Sequence, residues 1–299
     1  MNDITERLSK FAPVETDVSL AQMTTLRIGG NAHYAVYPDN LLALDGIIQL
    51  AKEEGVPYKV FGKGSNMLCS DEYFEGIIIR LDHGFNDYWF DGDELTAEAG
   101  CSLIYMSQEA MKRGYSGLEF ASGIPGTIGG GVFMNAGAYR SSMSEIVEAV
   151  YVYVDGNAIW MSAEECRFGY RTSIFKEHPD WIILAARMKL KEGETEKIRT
   201  LMDDRRKRRL ASQPLDKPSA GSVFRNPDEV PAWKLIEGIG YRGKVIGGAK
   251  VSDKHVNFII NEDGATAYDF MRLVNEIKDK VREKYGIDLH MEVERFNWH

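Results

Sequence analysis

The sequence predicts a mixed α+β protein that ends in a smaller α/β unit. Three observations support this class. A capped helical stretch at 40–55 precedes the short apolar strand YKVF and the later strand GIIIRL, as in a βαβ unit. Beyond Leu81 the pattern is mostly that of strands, with the segments YWF, ELTAEA, EAVYVYV and WIILAARMKL. After the polar, proline-containing stretch QPLDKPSAGS a second α/β pattern follows.

The predicted helices have recognisable ends. The first, NLLALDGIIQLAKEEG, begins after the N-cap residue Asn40 and ends at Gly55. One further helix, at 102–113, interrupts the strand-rich middle of the chain. The long C-terminal helix opens with Thr266 and Asp269 in the arrangement of a capping box. Its apolar face is formed by Phe270, Leu273, Val274, Ile277 and Val281.

Composition and charge exclude several classes of protein. The 299 residues are 44% hydrophobic, which is enough to bury a sizeable core. No apolar run approaches the roughly 18 residues that span a bilayer, and the N-terminal segment MNDITERLSK lacks the apolar centre of a signal peptide. We therefore expect a cytoplasmic protein without membrane insertion. The net charge of −9 argues against a general nucleic-acid binder.

One basic segment and three cysteines allow narrower statements. DDRRKRRL, at 203–210, ends a polar helical stretch, and we interpret it as a solvated helix face or as a device that attracts an anionic substrate. Cys69, Cys101 and Cys166 are far apart and form no C-x-x-C pair, which favours buried thiols over a disulfide framework or a zinc site. The six histidines show no metal-binding spacing, so no metal is expected.

Two glycine-rich segments carry the strongest local signals. VFGKGSNML matches neither the dinucleotide fingerprint nor the P-loop, because Met67 stands where the fingerprint has glycine. The segment is either a tight turn or a loop whose backbone N–H groups hold an anion such as a pyrophosphate, helped by Ser65 and Asn66. GLEFASGIPGTIGGGVFMNAGAY, at 117–139, contains seven glycines in 23 residues. Such bare backbone accommodates either a large flat ligand or a close-packed corner.

This pair of segments resembles the FAD-binding loops of the vanillyl-alcohol-oxidase (PCMH) type of flavoprotein fold. The chain further resembles the UDP-N-acetylenolpyruvoylglucosamine reductase (MurB) family, from TTLRIGG at Thr24 to MEVERF at Met291, through FGYRTSIF, PSAGSVFRNP and IGGAKVSDKHVNFIIN. No insertion is evident between Arg225 and Lys250, so the chain is similar to the shorter type of the family, which lacks an extra tyrosine-bearing loop.

The resemblance implies a reaction that the residues can be tested against. In that family NADPH reduces FAD, which then reduces UDP-N-acetylglucosamine enolpyruvate to UDP-N-acetylmuramate in peptidoglycan precursor synthesis. We expect the FAD to be held non-covalently, because neither glycine-rich loop contains a histidine or cysteine that could attach it. Hydride addition to an enol ether that carries a carboxylate creates charge on an already anionic group. The site therefore needs a fixed cation, an acid near the carboxylate and a proton donor for the adjacent carbon.

The resemblance assigns these roles to three residues. Arg171 is the cation, with a planar guanidinium that grips a carboxylate at two points. Ser222 is the proton donor and Glu292 assists the enolate. Glu294 lies two residues further along the strand-like MEVERF and should share the face of Glu292, so register alone does not choose between the two.

The resemblance also implies the binding residues and the domains. The expected cofactor-binding residues are Gly62, Lys63, Gly64, Ser65, Asn66, Met67, Gly123, Pro125, Gly126, Gly129, Gly130, Asn135, Ala136 and Gly137. The expected substrate contacts are Tyr170, Lys217, Arg225 and Asn226. We expect an FAD-binding region at 1–205, with subdomains at about 1–80 and 81–205, and a substrate-binding domain at 206–299 whose last strand could return to the FAD region. A flavin oxidase for another substrate and a non-catalytic flavin- or nucleotide-binding module are the alternatives.

Overall fold

The computed structural model describes residues 4–298. Its α-helices are α1 (Ile4–Leu8), α2 (Leu41–Glu54), α3 (Leu103–Lys112), α4 (Ile128–Phe133), α5 (Thr195–Ser212), α6 (Ala232–Gly238) and α7 (Ala267–Tyr285). Its strands are β1 (Val14–Ser19), β2 (Asn31–Val36), β3 (Tyr58–Phe61), β4 (Met67–Cys69), β5 (Phe74–Arg80), β6 (Tyr88–Asp91), β7 (Glu94–Glu98), β8 (Tyr115–Ser116), β9 (Gly137–Ala138), β10 (Ser141–Ser142), β11 (Val147–Val154), β12 (Asn157–Ser162), β13 (Ile182–Lys189), β14 (Lys191–Glu192), β15 (Val245–Ile246), β16 (Ala249–Val251), β17 (Ile259–Asn261) and β18 (Glu294–Phe296). Short 3-10 helices occur at Ala21–Met23, Glu119–Gly123, Met143–Glu145 and Ile174–Lys176.

The chain divides into two compact units that interleave in sequence. The first contains the residues up to Thr16 together with Tyr34–Lys63 and Gly76–Lys207, and the second contains Asp17–His33, Gly64–Glu75 and the residues from Arg208 onward. The second unit thus includes two segments from the region that we assigned to FAD binding, and α5 runs through the predicted boundary at 205 and 206. The assignment of one region to the cofactor and the other to the substrate stays a prediction.

Two sheets contribute strands to the first unit. One has the strand order β1-β2-β5-β3, with β3 parallel to β5, and parts of β1, β2 and β5 belong to the segments assigned to the second unit. The other is antiparallel and has the order β12-β11-β13-β7-β6. Helix α2 has the predicted ends, because the Asn40 side chain accepts from Ala43 N and Gly55 adopts a left-handed conformation. Helix α3 begins after the N-cap Ser102, also as predicted.

The second unit combines a small antiparallel sheet, β15-β16-β17, with α6, α7 and the parallel pair β4 and β18. Helix α7 has the predicted capping box at Thr266 and Asp269. All five residues of its predicted apolar face are buried. A single core of buried aliphatic and aromatic side chains therefore joins α7 to this sheet.

Several elements were not anticipated. The edge strand β12, the hairpin β9–β10 and the short helix α4 inside the second glycine-rich segment have no counterpart in the predictions. Cys69, Cys101 and Cys166 are free and buried, as expected, and burial raises the pKa of each thiol to about 12. Within residues 4–298, no helix combines the length and apolar character required to cross a bilayer.

Candidate active site

The first glycine-rich loop connects β3 to β4. Gly64 has φ +57°, and a Cβ there would collide with the carbonyl oxygen of Met23, so both its conformation and its packing require glycine. Across residues 4–298, the backbone N–H groups of Lys63, Gly64 and Ser65 donate to no protein acceptor. Gly64 is buried and Ser65 half-buried, and successive backbone amides without a protein acceptor are groups that can bind an anion.

The end of this loop is joined to the segment that contains Glu292. The side-chain amide of Asn66 donates to the carbonyl oxygen of Glu292 at 3.0 Å. The backbone N–H of Glu294 donates to the carbonyl oxygen of Asn66 at 2.9 Å, and Met67 pairs with Glu294 in the parallel ladder. Asn66, predicted as a cofactor contact, therefore holds the backbone of a predicted catalytic residue.

The interpretation of MEVERF as one continuous strand was wrong. The strand contains only Glu294–Phe296, and a bend at Val293 separates it from Glu292. The physical reason is a change of partner, because Glu292 N donates to Val223 O whereas Glu294 pairs with β4. The period-two alternation that placed both glutamates on one face therefore does not extend across this segment.

The second glycine-rich segment offers bare surface and few free amides. Gly123 ends a 3-10 helix, Pro125 is exposed, and Gly126 N donates to Ile124 O at 2.8 Å. The Thr127 side chain then caps α4 by accepting from Gly130 N at 3.2 Å. Ile128 N and Gly129 N donate to the carbonyls of Cys101 and Ala99 at 2.8 and 2.9 Å.

Adjacent glycines in α4 have different reasons for lacking a side chain. A Cβ on Gly129 would lie 2.9 Å from the Cβ of Ala99 and 3.3 Å from its carbonyl oxygen. Gly130 is exposed, and the nearest atom to a Cβ there would be Thr127 Oγ1 at 3.5 Å. A Cβ on Gly62 would lie 2.7 Å from this same oxygen. Thus Gly129 is required by packing, whereas Gly130 leaves open surface.

Arg171 lies in a tight turn that is closed by two hydrogen bonds between Gly169 and Thr172, at 3.0 and 3.3 Å. Its φ of 56° is in the left-handed region, which costs a non-glycine residue about 1–2 kcal/mol. Its Nη2 donates to the carbonyl oxygen of Gly137 at 2.8 Å, and its guanidinium carbon lies 5.0 Å from the ring of Tyr170. The surroundings thus maintain a strained conformation, as is common at functional sites.

Asn135 holds this turn from the other side. Its side chain is 5% exposed, its Nδ2 donates to Gly169 O at 2.8 Å, and its Oδ1 accepts from Ser144 N at 2.9 Å. The adjacent Ala136 N donates to Gly131 O at 2.8 Å. The predicted cofactor contacts of Asn135, Ala136 and Gly137 stay predictions. The contacts that the structure describes join this segment to the Arg171 turn and to α4.

Ser222 lies in a loop that is fixed at both ends. Before it, Ser219 N donates to Thr25 O at 3.1 Å and Thr25 Oγ1 donates to Ser219 O at 2.7 Å. Gly221 then adopts φ +78°. After it, Val223 O accepts from Glu292 N at 2.8 Å. Within the described part of the chain, the half-buried Ser222 hydroxyl makes no hydrogen bond, so it is available to a ligand.

The predicted substrate contacts have varied surroundings. Lys217 Nζ lies 3.1 Å from a carboxylate oxygen of Glu262, and Asn226 Oδ1 accepts from the backbone N–H of Ala232 at 3.1 Å. Tyr170 is 55% exposed. The Nε of Arg225 is buried, and it has no hydrogen-bond partner in residues 4–298. Of these side chains, Arg225 thus retains a buried donor, whereas Lys217 and Asn226 already bind protein groups.

The structure groups the predicted residues within each unit. In the first unit, Arg171 lies beside Asn135 and Gly137. In the second, the segment after Ser222 is bonded to Glu292, which is bonded to Asn66. Two residues that support these segments were not identified from the sequence. Thr127 caps α4, and the buried Asn257 binds the backbone of Phe224. A signal for Asn257 was present, because an amide inside the apolar run HVNFII requires a partner when it is buried.

Comparisons with known proteins identify the family of the chain. A family model described as "UDP-N-acetylenolpyruvoylglucosamine reductase, C-terminal domain" matches residues 213–296, and one described as "FAD binding domain" matches residues 32–162. UDP-N-acetylenolpyruvoylglucosamine reductases from Bacillus velezensis and Bacillus subtilis are 43% and 42% identical over 276 residues, which is 92% of this chain and 91% of each relative. The crystal structure of UDP-N-acetylenolpyruvylglucosamine reductase (MurB) from Thermus caldophilus has a TM-score of 0.82 and 36% identity over 95% of this chain and 99% of that chain.

The fold and the matched FAD-binding domain define a flavin-dependent oxidoreductase, which confirms the predicted α+β fold class. The identity of the relatives, and the share of the chain that they cover, determine the family. The chain belongs to the UDP-N-acetylenolpyruvoylglucosamine reductase family.

Proposed function

We propose that this protein reduces UDP-N-acetylglucosamine enolpyruvate to UDP-N-acetylmuramate, using FAD and with NADPH as hydride donor, in peptidoglycan precursor synthesis. Family membership across 92% of the chain supports the reaction. The observation within the fold that supports the proposal is the hydrogen bond from Glu292 N to Val223 O, at 2.8 Å, which joins the residue after Ser222 to Glu292 although the two segments are far apart in sequence. The expected cytoplasmic location, based on the charged N-terminal segment, stays a prediction.

The residues present fit a flavin cofactor. The amides of Lys63, Gly64 and Ser65 would hold its pyrophosphate, and the bare surface at Gly130 leaves space beside α4. Neither glycine-rich loop contains a histidine or cysteine for a covalent link, so the cofactor is proposed to be non-covalent. When bound, FAD would serve as the two-electron carrier between NADPH and the substrate.

Three side chains would stabilise the negative charge that develops on the substrate and supply the proton that its carbon needs. Addition of hydride to the terminal carbon of the enol ether moves an electron pair towards the carboxylate. Arg171, which is fixed by Gly137 O and Tyr170, would stabilise this developing dianion. The Ser222 hydroxyl would give its proton to the adjacent carbon, and Glu292 would assist the enolate. An oriented transfer compensates for the weak acidity of serine, because the carbanionic carbon is a strong base.

A separation of the two half-reactions tests this proposal. In Ser222→Ala, anaerobic NADPH should bleach the flavin at close to the wild-type rate, since no proton reaches the substrate carbon in that step. Addition of the enolpyruvyl substrate should then restore the colour about 10²-fold more slowly, the scale of a lost general acid. Ser222→Cys should recover part of this second rate, because the thiol retains a transferable proton.

The alternatives give different results. Equal slowing of both half-reactions would make Ser222 a structural turn residue. Unchanged reoxidation in Ser222→Ala would leave solvent or Glu292 as the proton source. If the wild-type flavin is reoxidised by oxygen and not by the enolpyruvyl substrate, the protein is an oxidase for another substrate. If NADPH does not bleach the flavin, the protein is a flavin-binding module.

A further inference from the structure

The buried Asn257 binds the residues that follow Ser222. Its side chain is 4% exposed, its Oδ1 accepts from Phe224 N at 3.0 Å, and its Nδ2 donates to Phe224 O at 2.9 Å. Its own carbonyl oxygen accepts from Val223 N at 2.8 Å. One asparagine therefore satisfies three backbone groups in the two residues directly after Ser222, as a neighbouring strand would.

The opposite edge of this segment is held by the chain around Glu292. Glu292 N donates to Val223 O at 2.8 Å, and Arg225 N donates to His290 O at 2.9 Å. Phe224 and Met291 form an antiparallel bridge. The Val223–Phe224 backbone is thus bonded on both sides, to Asn257 and to the 290–292 segment, and Ser222 is the residue before this fixed region.

Asn257 is itself held in place by a compact turn. Its N–H donates to Nδ1 of His255 at 3.2 Å, and Phe258 N donates to His255 O at 2.9 Å. The buried Ser252 accepts through its hydroxyl oxygen from Lys254 N at 3.1 Å and from His255 N at 3.3 Å. The amide of Asn257 therefore projects from a rigid support, which suits it to fix another segment.

We propose that Asn257 is the positioning residue for Ser222. Its side chain fixes the Phe224 peptide groups, and through them it sets the direction in which the Ser222 hydroxyl meets the substrate. This role rests on the proposed function of Ser222 as proton donor. A displacement of about 1 Å in such a group can slow a step about 10²-fold, so Asn257 contributes to the rate without touching the substrate.

The first test is structural and independent of activity. In Asn257→Ala, amide hydrogen exchange should become faster in a peptide that covers residues 221–226, since Phe224 N loses its acceptor. The matched control is Asn261→Ala. The Asn261 side chain donates to Arg27 O at 3.0 Å and accepts from Ala265 N at 2.9 Å, so its loss removes similar bonds from the same unit away from 221–226. The control should leave exchange in that peptide unchanged.

The second test measures the two half-reactions under anaerobic conditions. Asn257→Ala should slow reoxidation by the enolpyruvyl substrate about 10- to 100-fold, and bleaching by NADPH should stay within about threefold of wild type. Combined with Ser222→Ala, it should slow reoxidation no further, because both changes act through the same hydroxyl. If the alanine variant does not fold, Asn257→Asp replaces it in this test. Aspartate keeps the side-chain volume and the acceptor for Phe224 N but loses the donor to Phe224 O, so its reoxidation rate should lie between those of wild type and a variant without the side chain.

Three results would overturn the proposal. One is normal reoxidation in a folded Asn257 variant whose 221–226 peptide exchanges faster. Another is unchanged exchange in that peptide. The third is additive slowing when Asn257→Ala is combined with Ser222→Ala, because Asn257 would then act on another group. A wild-type enzyme that the enolpyruvyl substrate does not reoxidise would instead refute the proposed function, and the exchange experiment would still report on the Asn257 contact.

Discussion

Replacement of the adjacent glycines 129 and 130 by alanine should have opposite effects on stability. Both residues lie in α4, and the second glycine-rich segment is proposed to adjoin the flavin. An added Cβ on Gly129 would be 2.9 Å from Ala99 Cβ, closer than carbon atoms pack without displacement. An added Cβ on Gly130 would meet only Thr127 Oγ1 at 3.5 Å, which is an ordinary contact.

These distances give the expected magnitudes. Gly130→Ala should raise the free energy of unfolding by about 0.5–1 kcal/mol, because alanine restricts the unfolded chain and favours the helix. Gly129→Ala should lower it by about 1–3 kcal/mol, the range for overpacking a site that cannot expand. Ala99 limits any expansion, since its carbonyl oxygen accepts from Gly129 N at 2.9 Å. The two alanine variants should therefore differ by about 1.5–4 kcal/mol.

The assay separates stability from cofactor binding. Urea unfolding of the flavin-free proteins measures the first, and titration with FAD measures the second. Gly130→Leu places a bulky side chain on the exposed face of α4. This variant should keep most of the stability of Gly130→Ala and bind FAD much more weakly. Flavin content is read from the yellow supernatant after heat or acid denaturation, which releases a non-covalent cofactor.

Two outcomes would refute this reasoning. If Gly129→Ala is as stable as wild type, the close approach to Ala99 does not explain that glycine. If Gly130→Leu is folded and binds FAD normally, the open surface at Gly130 is not where the cofactor lies, and the second glycine-rich segment is a packed corner. Colour that remains with the denatured protein would indicate a covalent link.

Two further predictions concern charge. Arg171→Lys should reduce turnover by about 10²-fold or more and leave FAD binding intact, because lysine lacks the planar guanidinium that binds a carboxylate at two points. Steady-state rates measure the turnover, and titration with FAD measures the binding. Normal turnover would indicate that Arg225, and not Arg171, binds the carboxylate. Hydrogen bonds from Lys112 and Arg113 lower the pKa of Glu109 from its ordinary value to about 2. Because the folded-state pKa is depressed, Glu109 stabilises the fold above its unfolded pKa, and this contribution is lost as the pH falls towards 2. Glu109→Gln should therefore have a lower free energy of unfolding than wild type at pH 7. Chemical denaturation should show that this difference becomes smaller between about pH 5 and pH 2. A difference that does not change with pH would contradict the ion-pair argument.

The sequence was sufficient where structure is determined locally. Helices α2 and α7 have their caps at the predicted residues because each cap is a contact between neighbours in the chain, such as Asn40 with Ala43. Helix α4 was missed because three consecutive glycines have poor helix propensity. Tertiary contacts override that propensity, since the close packing of Gly129 on Ala99 leaves no room for a side chain, and a Cβ on Gly131 would lie 3.1 Å from Leu103 Cδ1.

The same distinction applies to the site. The glycine loops, Ser222 and Glu292 were predicted as site residues from motifs, which are local in sequence. The partners that orient them are distant in sequence, as with Asn66 and Glu292 or Asn257 and Phe224, and no pattern along one chain reports such a pair. The change of partner at Val293 was invisible for the same reason, because alternation describes a strand but not the segment with which it pairs.

Asn135 provides a final prediction, in which two hypotheses for one residue have different consequences. As a cofactor contact, its replacement by alanine should reduce FAD affinity. As the support of the Arg171 turn, through its bonds to Gly169 O and Ser144 N, its loss should slow reoxidation by the substrate about 10-fold or more with FAD affinity retained.

The structure favours the second outcome, because both polar groups of the buried side chain bind the protein backbone. Their loss leaves Gly169 O and Ser144 N without these partners, so a decrease of about 1–3 kcal/mol in the free energy of unfolding should accompany it. Stability alone does not identify the role, and the decisive comparison is with Arg171→Lys. If Asn135 acts through Arg171, Asn135→Ala should slow reoxidation much less in the Arg171→Lys background than in wild type. Equal slowing in both backgrounds, or a loss of FAD affinity with normal reoxidation of the flavin that remains bound, would contradict this role.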